Sequence, residues 1–131
     1  MSKIERFEDL DIWKKAVEIA VYVFELFDKG LLATDFKSRG QFIDAAFSTS
    51  NNIAEGFEYN SNPSFIRYLR YAKGSAGEVR SQAFVLYRVN RINETEYKKL
   101  YNDLVEISKE IKGFMKYLQD FEKAKKNQKG K

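Results

Sequence analysis

The chain has 131 residues, 44% hydrophobic and 15% aromatic, with one proline, seven glycines and a formal charge of +4; this suits one domain and argues against an all-β design, which needs frequent turn residues. With no cysteine and no histidine, disulfides, thiolate or imidazole metal sites, Ser-His-Asp and Cys-His catalysis, zinc-protease sites and the Glu-x-x-His di-iron motif are all excluded. The positive excess is local: residues 122–131 hold five lysines and one glutamate, and the rest balances 18 basic with 18 acidic residues, which excludes a uniformly basic surface.

Met1 to Arg6 has no long apolar run behind it, and no segment reaches the roughly twenty apolar residues that span a bilayer. A cytoplasmic protein with no membrane partner is expected. The first helical pattern runs from about Glu8 to Lys29, with Trp13, Ala16, Val17, Ala20, Phe24 and Phe27 on one stripe and Ile12, Ile19, Val23 and Leu26 on a second beside it. Together they cover about half the helix, wider than the usual arc of about 100°. The surplus fits burial against another subunit or a helix lying deep in its own bundle.

After Gly30, Leu31 and Leu32, either Thr34 or Asp35 suits the cap of a second helix reaching about Phe57, with Ile43, Ala46, Phe47, Ser50, Ile53, Ala54 and Phe57 on one side. Asn62 as N-cap and Pro63 at the first helical position open a third helix that runs to about Arg91 and packs through Tyr68, Leu69, Ala72, Ala76, Val79, Ala83 and Leu86. Asn93 with Glu96 forms a capping-box pattern before a fourth helix to about Glu122, where Tyr97, Leu100, Leu104, Ile107, Ile111, Phe114, Leu118 and Phe121 repeat at spacings of three and four. The fold class is therefore all-α, an antiparallel up-down-up-down four-helix bundle over residues 1–121. Residues 122–131, rich in lysine and without an apolar anchor, are expected to form a disordered basic tail.

Two clusters interrupt the packing pattern. On the second helix Ser48, Asn52 and Glu55 align as a polar ridge ending at Gly56. On the third, Gly74, Ser75, Gly77 and Glu78 fall together, and each glycine costs roughly 1 kcal/mol of helix propensity relative to alanine, which implies a packing or interaction role. A hairpin about Asn60 would allow Glu55 to pair with Arg67 or Arg70, in a polar network within or between subunits. Glu55 and Glu78 stand roughly 17 Å apart along that hairpin, too far for a carboxylate pair, so no catalytic residue, metal ligand or cofactor is assigned; an acidic Mg²⁺ site is the one metal option the composition leaves.

Residues 63–91 hold six basic residues and one acidic one. Arg70, Lys73, Arg80, Arg88 and Arg91 share one flank of the third helix, a stripe about 30 Å long beside the core. It can track phosphates, with Tyr71 or Tyr87 near enough to stack on bases, or it can pair with acidic residues of the first helix or of a neighbouring subunit.

Phe7, Glu8, Asp9 and Leu10 with Trp13 to Ala16, then Ser48 and Asn52 to Gly56, then Phe65, Tyr68, Leu69 and Ala72 to Glu78, resemble the four-helix-bundle proteins encoded in intervening sequences of bacterial 23S ribosomal RNA genes, some once labelled ribosomal proteins. The resemblance covers about Phe7 to Phe121. It implies a bundle that assembles into a homopentameric ring without enzymatic activity, in which Asn52, Glu55, Gly56, Gly74, Ser75 and Glu78 serve structure or assembly. The family also resembles the accessory protein of diversity-generating retroelements, a basic pentamer, which implies RNA or a ribonucleoprotein as partner or, alternatively, a scaffold docking a reverse transcriptase. Leu31 to Phe36 departs from the family in lacking a proline and a Tyr-Gly-Leu-like segment, and Phe57, Glu58 and Tyr59 replace a more basic exit.

Overall fold

The computed structural model describes residues 3–129. Phe7–Asp9 forms a 3₁₀ turn, with the Phe7 ring edge-on to Trp13 at 5.3 Å. Helix α1 follows over Asp11–Phe27. The helix expected from Glu8 is interrupted at Leu10, whose backbone is extended and whose side chain is buried.

Helix α2 spans Phe36–Glu58. Asp35 takes the cap, accepting from the Ser38 backbone N–H at 3.2 Å and from Ser38 Oγ at 2.9 Å. The chain reaches it through left-handed Gly30 (φ 66°) and a second 3₁₀ turn over Gly30–Thr34, which closes one bundle end with the fully buried Leu32. Helix α3, Asn62–Arg88, starts one residue earlier than expected: Ser61 is its cap, accepting from the Ser64 N–H at 3.2 Å, and Pro63 sits in the first turn. It also ends earlier than Arg91. Asn90 adopts the left-handed conformation (φ 63°), the Asn90 N–H donates to Tyr87 O and the Arg91 N–H to Leu86 O, which is the two-bond stop that asparagine can supply in place of glycine.

Asn93 and Glu96 form the expected reciprocal box, each backbone N–H donating to the other's side chain at 2.8 Å. Helix α4 then runs over Glu94–Lys129. Residues 122–129 are thus helical where a disordered tail is expected from charge alone. Ala124, the lysines and Gln128 are good helix formers that extend an existing helix without new nucleation, and no glycine or proline intervenes. Gly130 and Lys131 lie outside the described residues.

Helices adjacent in sequence pack side by side, α1 closes against α4, and the diagonal pairs α1/α3 and α2/α4 do not approach. This is the expected up-down-up-down bundle. Its core is threaded by Val23, Ile53, Leu69, Val79, Leu104 and Ile107. On α1 the stripe Ile12, Ile19, Val23 and Leu26 faces inward, while Val21 and Phe24 are 44% and 42% exposed. On α2 the buried face is turned from the expected one: Phe42, Ala45, Thr49 and Gly56 join Ala46, Ser50 and Ile53, and Phe47 is pushed outward. Thr49 and Ser50 can be buried because their hydroxyls donate to Ala45 O and Phe47 O, both at 3.2 Å. Small side chains on that face let α2 approach its neighbours closely.

Candidate nucleic-acid interface

The two small-and-polar clusters separate into an internal and an external half. Ser48 Oγ lies 2.8 Å from Ser75 Oγ, and Asn52 Nδ2 donates to Ser48 O at 2.8 Å and to Ser48 Oγ at 3.0 Å, joining α2 to α3. Gly56 is buried against α3, and a Cβ there would stand 2.5 Å from Tyr68 Cβ. Gly74 and Gly77 are different. A Cβ on either would meet nothing within 4 Å, so no contact within the chain requires them. Glu55 and Glu78 are exposed and make no ion pair among the described residues; Arg67 lies over the Tyr68 ring instead of pairing with Glu55.

The five residues of the α3 stripe also part company. Arg91, just past the helix end, turns back to Asp35 at 3.1 Å and so ties the α3–α4 junction to the cap of α2. Hydrogen bonds from Ser38, then the Arg91 guanidinium, hold the Asp35 carboxyl below its ordinary range. Arg88 lies over Phe84 and Arg80 over Tyr101, each 5.9 Å from the ring centre. Arg70 and Lys73 open onto a groove between α3 and α4, and there α4 contributes Lys109, Lys112 and Lys116. Of these, Lys116 is paired with Asp120 at 3.1 Å. Arg70, Lys73, Lys109 and Lys112, like Arg80 and Arg88, have no ion-pair partner among the described residues.

The three α4 lysines escape a reading of single helices because none forms a run. Their spacing of three and four is visible in the chain, and the short turn at Asn90 sets α3 and α4 antiparallel with Arg80 level with Tyr101. That register carries Arg70 to the level of Lys112. Farther along the seam, Gly77, Arg80, Ser81 and Phe84 face Tyr97 and Tyr101. One continuous flank of the bundle is thus cationic at one end and aromatic at the other.

The opposite flank of α4 is acidic and internally matched. Lys15 of α1 donates to Glu106 Oε1 at 2.8 Å and also bonds Glu110, which raises the lysine above its ordinary value and lowers Glu106. Lys99 holds Asp103 at 2.9 Å. No group of three or more acidic residues gathers as a metal site among the described residues, and no described helix is long and apolar enough to cross a membrane.

Residues 8–113 match the family model described as 23S rRNA-intervening sequence protein. Among solved structures, the chain is similar to a crystal structure from Bacteroides thetaiotaomicron, described as a protein with unknown function from the S23 ribosomal protein family; the identity is 27% and the TM-score 0.72, covering 80% of this chain and 98% of that one. A search of curated proteins finds no match.

Proposed function

The chain belongs to the 23S rRNA-intervening sequence protein family, and from that premise we propose that it is a non-enzymatic, cytoplasmic homo-oligomer that associates with RNA or a ribonucleoprotein through the α3–α4 seam. The observation that carries this reading is the gathering of Arg70, Lys73, Lys109 and Lys112 in one groove without acidic partners among the described residues. Cations held this way find their counter-charge in solvent ions, and a polyanion that displaces those ions gains entropy on binding. Self-association, with the family-implied ring of five, is supported by a separate face, where Phe24 and Phe47 touch at 5.5 Å yet stay more than two-fifths exposed beside Val21.

Titrating RNA with the full chain over a range of salt tests the assignment. Replacing Arg70 and Lys112 by glutamate should weaken binding strongly and lower the salt slope by about two, with the oligomer intact. Unchanged RNA affinity would remove the seam from the function. Loss of assembly with no RNA bound would assign the cations to subunit pairing and leave the partner-enzyme scaffold as the better account.

A further inference from the structure

We infer that the α3–α4 seam takes a single-stranded polynucleotide, its phosphates along Arg70, Lys73, Lys109 and Lys112 and its bases against Tyr101 and Phe84. This rests on the RNA-binding reading and adds the form of RNA. In an A-form duplex the bases are stacked inside and present no free face, so duplex recognition works through shape, phosphates and 2′-hydroxyls. An aromatic platform is of use only to unpaired bases. Proteins that bind single strands combine a cationic groove along the backbone with aromatic faces for successive bases, and both parts occur here on one flank.

The aromatic end is built as a platform. Tyr97 is stacked on Tyr87 with ring centres 5.0 Å apart, and it supports Phe84 edge-on at 5.9 Å and Tyr101 at 6.1 Å. Phe84 and Tyr101 remain 39% and 44% exposed. Each also carries an arginine over its ring, Arg88 and Arg80 respectively, at 5.9 Å from its centre, a cation whose planar guanidinium can itself stack on a base.

Between the two ends, Gly77 presents bare backbone, and Gly113 does so beside Lys112. Neither position is crowded by the chain itself, so a sugar-phosphate strand can lie close to the helices. From Arg70 to Phe84 the seam measures about 21 Å, which suits about four nucleotides, the short end of single-strand site sizes. The acidic residues of α4 that could oppose a phosphate, Asp103, Glu106 and Glu110, are held by Lys99 and Lys15 on the other flank. Among the described residues that line the groove, Asp120 is the one acid, and it is neutralised by Lys116.

The test compares a short single-stranded uridine-rich RNA with a blunt RNA duplex of equal length, both titrated against the full chain by fluorescence anisotropy at one salt concentration. The single strand should bind at least tenfold more tightly. Tyr101→Leu and Phe84→Leu keep an apolar side chain but remove the stacking face; each should weaken the single strand about tenfold, with the salt slope and the duplex affinity unchanged. Their thermal melts should match that of the unsubstituted chain, since both rings sit at the surface. Duplex binding as tight as single-strand binding, or leucine variants with full single-strand affinity, would overturn the inference while the RNA-binding reading stood. Absence of binding to either RNA would remove both.

Discussion

On the side of α4 that meets α1, Glu106 and Glu110 share Lys15 and Asp103 is held by Lys99; on the side that meets α3, Lys109 and Lys112 face Arg70 and Lys73, and no acid among the described residues pairs with these four. The two flanks belong to one helix and rest on the same buried Leu104, Ile107 and Ile111. Their difference lies in what completes them. Charge complementarity is satisfied within the chain on the first flank, where it helps position α1, which packs less extensively against α4 than α3 does. On the second, like charges are tolerated because solvent screens them, at a small cost per pair. That residual repulsion would be relieved by any anion that bound, so an arrangement that adds nothing to folding favours an anionic ligand.

Removing the support common to both flanks should have the largest effect. Ile107→Ala empties a fully buried position and should cost about 2–5 kcal/mol in chemical denaturation; a loss under 1 kcal/mol would mean the flanks do not share one core. Two glycines distinguish inside from outside at the next level. Gly56→Ala places a methyl 2.5 Å from Tyr68 Cβ, which only a backbone shift can relieve, and should cost about 1–3 kcal/mol. Gly77→Ala meets open space on the cationic flank and should stabilise by up to about 1 kcal/mol, so stabilities moving in the same direction would contradict this division.

The smallest effect separates the flanks by pH. The Glu106 carboxyl is lowered from its ordinary 4.5 by its hydrogen bond from Lys15. Its contribution is therefore present above pH 4.5 and lost as pH falls through the lowered folded value. Lys15 is raised from 10.5 by the same contact and its bond to Glu110, so on the alkaline side the contribution is full below 10.5 and is lost as pH rises through the raised folded value, while its acid limit is set by the carboxylates. Thermal melts between pH 3 and 7 should show an acid decline that Lys15→Met reduces and Lys112→Met leaves unchanged. Equal acid limbs in all three chains would detach the decline from this ion pair.

The helices were legible in the chain because their signals are local. Pro63 fits only an initial turn, Asn93 with Glu96 satisfies the first amides of α4, and Leu100, Leu104, Ile107 and Ile111 repeat with the period of a buried stripe. The family motifs were equally readable, since Asn52 to Gly56 and Ala72 to Glu78 are contiguous. Less legible was the rotation of α2, where a stripe through Phe47 looks more apolar than the real core face of Ala45, Ala46 and Thr49. Helix approach, not side-chain hydrophobicity, selects the smaller residues there.

The candidate interface shows the same boundary. Local composition was enough to mark Arg70, Lys73, Arg80 and Arg88 as one positive flank of a helix, because helical geometry fixes neighbours three and four residues apart. Folding withdrew Arg91 by turning it to Asp35, and it added Lys109 and Lys112 from some forty residues away. A side chain's partners across a groove depend on helix register and rotation, which are set by how the buried faces of α3 and α4 interlock. That is why the helices and the family could be read along one dimension, whereas the cationic seam and its aromatic end exist only once two helices lie side by side.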